Sequence, residues 1–220
     1  MIKFNGLSEI ELGVVIEEPT RILGRAPLKA EITAIDGRDS NIVDYLGYEP
    51  FKTSLDFQIL DISKIDLLFE TLTGKLRLDY DGKYTMINTY DAINLERMAF
   101  LRKFSISVHR DPFWRIDDDF VEDLSNIGNI ASKPVLRFVK KEDSAVDVTV
   151  SGIRFKYTFN EHDTHVDIDC ESKNAMYNGL SRNRNLEIGW DFPIFHPGEN
   201  VATIHSGDAL ILCKRKDLWL

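Results

Sequence analysis

The sequence is short of the features that announce most chemistries. Only two of its 220 residues are cysteine, Cys170 and Cys213. They lie in separate strand-like runs, so a disulfide framework is not needed for stability and free, largely buried thiols are expected. No apolar run approaches the roughly 20 residues that cross a bilayer. The residues after Met1, IKFNGLSEIELG, lack the basic flank and unbroken apolar stretch of a secretory leader. The chain is therefore expected to be made and kept in the cytoplasm, or to leave by lysis. Basic residues are outnumbered 27 to 36, for a formal net charge of -9. The deficit runs through both halves, with 15 basic against 18 acidic residues up to Arg115 and 12 against 18 after it. No stripe of Lys and Arg is available to displace counterions from a phosphate backbone, so direct nucleic-acid binding is not expected. No Ser/His/Asp set, glycine-rich phosphate loop or CxxC pair occurs. The sequence argues against an enzyme and implies no cofactor.

What is present is the mixture of a chain that folds: 43% hydrophobic and 29% charged residues, long enough for two domains. IKFNGLSEIELGVVIEEP reads as strand, turn, strand, broken at Asn5-Gly6, Gly13 and Pro19. LKAEITAI, 28–35, is a further strand, and the chain reverses in DGRDSN, where Gly37 and Asn41 tolerate positive φ. One helix, about 64–73, carries Ile65, Leu68, Phe69 and Leu72 on one face, with Ser63 as its cap, Asp66 completing a capping-box-like pair and Gly74 as its stop. It is short and one-sided, so it should pack onto a sheet. Next comes a hairpin: Leu76, Leu78 and Tyr80 alternate, Asp81-Gly82 is the strongest two-residue turn signal, and a return strand follows. AFLRKFSISVHR, 99–110, alternates Phe104, Ile106 and Val108 with Ser105, Ser107 and His109.

HRDPFWR, 109–115, followed by DDDF, raises the question of a catalytic or metal site. Strand alternation turns His109 outward at a strand end, and Asp111-Pro112 breaks the ladder because proline has no N–H to donate. Phe113 and Trp114 then fold back as a plug. With no nucleophile or third orienting group nearby, the strand-end reading is preferred. Asp117, Asp118 and Asp119 lack the glycine and distal glutamate of a calcium loop and read as a solvated linker, 116–125. From 126 to 220 the pattern has no helical period. KPVLRFV, AVDVTV, IRFKYTF, HVDIDC, NLEIGW, VATI and ALILCKR are about seven short strands of a sandwich. In HPGEN, Pro197-Gly198 makes a turn that Asn200 closes through its side chain. NEHDTHVDIDCE holds metal-ligand residue types, His162, His165, Asp167 and Asp169. Alternation places the last three on one face, with Val166, Ile168 and Cys170 inward, which is how the wet face of an antiparallel strand looks. Asn185, Glu187 and Trp190 are either a sugar-binding platform or, for Trp190, core or interface.

Taken in order, these features resemble one family, the distal tail proteins of phages with long, non-contractile tails that infect Gram-positive bacteria. The resemblance runs over nearly the full chain. It rests on FNG at 4–6, DGRDS at 36–40, the helix ending at Gly74 with GKLRL, RDPFWR at 110–115, NIGNIASKP at 126–134, HVDIDCES at 165–172 and FPIFHPGEN at 192–200. Ser40 stands where the family usually has glycine, with Asn41 able to take the left-handed position one residue later. The His, Asn, Arg and Trp pattern of a galectin sugar site is missing.

The resemblance implies a mainly β protein of two domains. Residues 1–115 would be a ring-forming, β-sandwich-like domain with one helix and a hairpin, and 126–220 a galectin-like antiparallel sandwich. It implies a structural virion component, a hexameric ring hub that joins the tail tube protein to the tail-tip or lysin-bearing protein and offers docking to receptor-binding proteins. No metal site and no membrane insertion come with it. The motif residues it singles out are Gly37, Arg38 and Asp39 for a turn, Asp111, Pro112 and Phe113 for the end of the first domain, and Pro197, Gly198 and Asn200 for the second. The competing reading is a lectin-like module for host cell-wall sugars, with Trp190 at its centre.

Overall fold

The computed structural model describes residues 1–34, 36–37, 41–90, 102–189 and 191–220. It divides the chain into two units, residues 1–114 with Leu220, and residues 115–219. Each is antiparallel β. Among the described residues no helix is long and apolar enough to cross a membrane.

The first unit is built on a curled sheet whose strands run in the order Leu7–Ser8, Ile2–Phe4, Gly74–Tyr80, Lys83–Thr89, Lys103–Arg110, Phe51–Ile59, Val14–Ile16. Its pairing follows from turn chemistry. Asp81 and Gly82 both take positive φ, 50° and 73°, as a two-residue turn matched to strand twist requires, and the hairpin closes with Tyr80 opposite Lys83. Period-two patterning does the rest: Phe104, Ile106 and Val108 are buried with Leu55, Phe57 and Ile59 of the neighbouring strand, while Ser105 and Ser107 face water. Phe57 stacks on Phe104 with ring centroids 4.8 Å apart.

The helix is Ile65–Thr71, with Leu68 and Leu72 buried. Its start differs from the expectation, because a 3-10 turn, Ile62–Lys64, precedes it and moves the cap upstream. Asp61, not Ser63, accepts the capping bond, from Ser63 N at 3.0 Å, and Ser63 Oγ donates to the same oxygen at 2.7 Å. A separate two-stranded ribbon, Leu28–Thr33 with Ile42–Tyr48, surrounds the expected reversal.

The second unit is a sandwich. One sheet has the order Leu180–Ser181, Asn174–Tyr177, His165–Asp169, Val135–Lys140, Ala209–Lys214; the other has Leu186–Ile188, Ile153–Thr158, Ala145–Val150, Ala202–Ser206. All seven expected strand runs are present, joined by two short strands, Asn174–Tyr177 and Leu180–Ser181, whose sequence has no clear alternation. Inward residues of both sheets make one core, including Leu136, Phe138, Val148, Phe155, Tyr157, Val166, Ile168 and Cys213. Residues 116–125, read from sequence as a linker, carry ordered contacts within this unit. Val121 and Cys213 exchange backbone hydrogen bonds of 3.0 and 2.7 Å, Lys216 N donates to Asp118 Oδ2 at 2.8 Å, and the Phe120 ring lies under the Arg137 guanidinium at 3.8 Å.

Candidate functional site

The RDPFWR segment is a structural lock. Strand Lys103–Arg110 ends where Pro112 interrupts it; Asp111 N donates to Met86 O at 2.8 Å and Thr85 Oγ1 donates to Phe113 O at 2.9 Å. The Phe113 ring meets Tyr48 edge-on at 5.4 Å, and Trp114 is buried. His109 pairs edge-on with the Tyr90 ring at 5.4 Å. The residue that sequence reasoning missed here is Arg110, which shares the inward parity of Phe104, Ile106 and Val108 and is fully buried. Its Nη2 donates to Gly24 O at 2.6 Å, its guanidinium lies 5.2 Å from the Phe51 ring and 5.0 Å from Trp114, and its Nε and Nη1 have no hydrogen-bond partner among the described residues. Burial pulls its pKa down to about 10, so it remains a cation at neutral pH. A buried charge with donors unmet costs more than its contacts return. Arg110→Met is therefore expected to raise stability by about 1–2 kcal/mol, whereas Arg110→Ala lowers it by opening a cavity between Phe51 and Trp114. Urea denaturation of both variants decides it: a destabilised Arg110→Met would show that the Gly24 bond outweighs the burial.

The second unit is closed by a polar knot joining two segments the sequence separates. Asn126, 2% exposed, exchanges backbone bonds of 2.9 Å with Gly198. Its Nδ2 donates to Ile130 O and Phe195 O, both at 2.9 Å, and its Oδ1 accepts from Gly128 N at 2.8 Å. Gly128 is required by close approach, since a Cβ there would lie 2.3 Å from Leu218 O. In the facing turn Gly198 has φ 101°. Asn200 Nδ2 donates to His196 O at 2.9 Å and Gly198 O at 3.1 Å, while Ser151 Oγ donates to its Oδ1 at 3.1 Å. The side-chain closure read from HPGEN is thus formed, and Pro197 bridges to Asn126. Of the first-domain turn, Gly37 is described with φ 81°; Arg38 and Asp39, with Ser40, lie outside the described residues, as does Trp190.

The metal-type cluster is dispersed among cations. His165, Asp167 and Asp169 share the wetter face of their strand, with Val166 and Ile168 inward. Arg137 Nε and Nη2 hold Asp167 at 2.6 and 2.7 Å, and Lys216 Nζ lies 3.4 Å from Asp169 Oδ1. Among the described residues no group of three His, Cys, Asp or Glu is placed to hold a metal ion.

Asp163, in the loop between two strands, was not singled out by the sequence. It is buried and accepts from Arg182 Nε at 2.7 Å, Arg182 Nη2 at 3.0 Å and Asn160 Nδ2 at 2.8 Å. The Arg182 hydrogen bonds hold its carboxyl below the usual carboxylate range, against the opposing effect of burial. The sign follows: with a depressed folded pKa, the stabilisation is fully present above the unfolded value, near pH 4, and is lost as pH falls through the lower folded value. Asp163→Asn should flatten this acid limb of stability between about pH 2 and 5; an unchanged limb in that variant would assign it to other carboxylates.

An open cleft of about 400 Å³ on the second unit is lined by Lys133, Ser151, Cys170, Asp191, Phe192 and His196, among others. Burial pushes its one thiol, Cys170, up to about 12, so it is protonated and unreactive at neutral pH. Asn185, a candidate for sugar contact, has its amide engaged by Thr158 O at 2.7 Å and Asn160 Oδ1 at 3.0 Å. These placements describe a scaffold whose polar side chains mainly hold its own turns.

Comparison with known proteins agrees with that description. Residues 127–212 match the family described as siphovirus-type tail component, C-terminal domain. The match lies within the second unit. The chain shares its fold over its whole length with the SPP1 Dit (gp 19.1) protein, whose crystal structure is presented as a paradigm of the hub adsorption apparatus in phages infecting Gram-positive bacteria. The two are 10% identical, the alignment covers 100% of this chain and 98% of that one, and the TM-score is 0.74. A chain from the phage P2 baseplate in its activated conformation with Ca is also 10% identical over 93% of this chain and 91% of that one, but its TM-score of 0.41 is too low to carry an argument. No curated protein matches. The expected mainly β, distal-tail-protein fold is present.

Proposed function

We propose that this chain is a phage tail component of the hub or baseplate kind, which assembles as a hexameric ring at the far end of the tail tube. The ring joins the tube protein to the tail-tip or lysin-bearing protein, and the second domain serves as a docking module for receptor-binding proteins. The observation that carries the reading is the end-to-end fold likeness to SPP1 Dit, together with the tail-component match over 127–212. In this reading residues 1–115 form the ring, Asp111 to Phe113 close that domain, Gly37 to Asp39 shape a turn on it, and Pro197, Gly198 and Asn200 close the docking domain of residues 126–220. A net charge of -9 suits a passage for DNA, since an acidic lumen gives the phosphate backbone few cations to bind. The role is geometric, so it asks for contact surfaces and no reactive pocket. The test is mass determination by light scattering, alone and with tube protein, followed by electron microscopy. A six-fold annulus is expected; rings of another order, or a chain that stays monomeric even with tube protein, would overturn the proposal. A glycan array tests the lectin alternative.

A further inference from the structure

The ribbon Leu28–Thr33 with Ile42–Tyr48 is the least explained part of the molecule. Its register pairs Leu28 with Tyr48, Ala30 with Tyr45 and Ile32 with Val43, so one face is apolar. Glu31 opposite Asp44 and Lys29 opposite Gly47 lie on the other face. The register shift between Lys29 and Ala30 leaves Leu46 as the extra residue of a bulge. Its root is fixed, because Glu49 N donates to Pro27 O at 2.9 Å and Tyr48 meets the Phe113 ring. Beyond the root its apolar side chains are open to solvent. Among the described residues no third strand pairs with the ribbon, and Ile32, Tyr45 and Leu46 are 64%, 69% and 55% exposed. A two-stranded ribbon with a bare apolar face is marginal in water and invites association.

The distribution of exposed apolar side chains says what kind of association. Of the 19 large hydrophobic residues exposed among the described residues, 13 belong to the first unit, and six of those are on the ribbon. A second group lies off the ribbon on the same unit: Ile10, Leu60 and Ile62, exposed by 72%, 57% and 46%. These are held in one region, since Leu60 N donates to Gly13 O at 2.8 Å and Lys64 Nζ to Ile10 O at 3.0 Å. Beside them runs Val14–Ile16, an edge strand of the curled sheet. A foreign partner or a two-fold dimer needs one patch per subunit. Two different apolar patches on one unit are what a head-to-tail contact between copies uses, each subunit giving one and receiving the other.

We infer that the apolar face of the ribbon is covered by a second copy of this chain, seated on the neighbour's surface around Ile10, Leu60 and Ile62. This rests on the ring proposal and names its contact. The test uses the full-length chain. The double variant Ile32→Glu/Tyr45→Glu and the reciprocal Ile10→Glu/Leu60→Glu should each weaken self-association about 30-fold or more, read by light scattering across a dilution series. Circular dichroism and the melting profile check that each remains folded. In parallel, a photo-cross-linking phenylalanine analogue replaces Tyr45 in a mixture of isotopically heavy and light chains. Cross-links between heavy and light peptides from residues 9–16 or 60–64 are expected. If wild type forms rings but the folded variants form them equally well, or the cross-links fall elsewhere, the ribbon contact is wrong and the ring stands. Cross-linking to added tube protein in place of a second copy also overturns it. Wild type that never associates, with or without tube protein, removes the ring proposal and this contact together.

Discussion

Asn126→Leu is expected to cost the second unit about 3–5 kcal/mol, the sum of two orphaned buried groups at about 1–3 kcal/mol each and one further lost bond. The substitution keeps approximate volume but leaves Gly128 N–H and Ile130 O without the partners they have at 2.8 and 2.9 Å, and Phe195 O with the Ser132 N–H alone. Water cannot replace the side chain easily, because Asn126 is buried and the backbone of Leu218 lies against Gly128. If the two units melt as separate domains, as proposed, calorimetry will show the transition of the second falling by roughly 15 °C or more while the first stays in place. A change of less than about 1 kcal/mol would mean that the knot is a surface closure that relaxes around the loss.

Phe138→Ala should lower the same transition by about 3–5 kcal/mol, by a different mechanism. Phe138 is fully buried in the sandwich core and stacks nearly parallel on Phe155 of the facing sheet, with ring centroids 5.5 Å apart and planes 8° apart. Removing the ring leaves a cavity bounded by two sheets whose hydrogen-bonded backbones cannot close over it. Tyr157, in the same core, gives the control. Its hydroxyl is buried without a hydrogen-bond partner among the described residues, and burial pushes its pKa up to about 12, so it stays neutral. Tyr157→Phe keeps the ring and removes the unmet hydroxyl, and should leave stability equal or raise it by about 1 kcal/mol. Loss of stability in Tyr157→Phe comparable to Phe138→Ala would show that polar contacts, and not apolar filling, hold this core.

Both predictions concern residues whose importance was unevenly legible. Alternation showed that Phe104, Ile106 and Val108 point inward, and carried two residues further it also marks Arg110; the charge hid the signal, because arginine is expected at the surface. Local turn chemistry was readable wherever its partners are close in sequence. Asp81-Gly82 and the Asn200 closure of HPGEN each act within a few residues. The helix was visible from its spacing, but its cap moved to Asp61 because a 3-10 turn adds a step that periodicity does not report.

Other features were settled by distance along the chain. Asn126 meets Phe195 across 69 residues and Arg110 meets Gly24 across 86. Residues 116–125 have the composition of a linker, yet Val121 and Phe120 find Cys213 and Arg137 once the sandwich has formed.

Strand positions, inward faces and turn residues followed from the sequence by itself, because each depends on one or two periods of local pattern. Sheet order, the polar knot at Asn126, the burial of Arg110 and the bare ribbon were decided only by the tertiary structure. Which strand pairs with which, and which face stays uncovered, depends on contacts between segments tens of residues apart, and no local pattern encodes the partner.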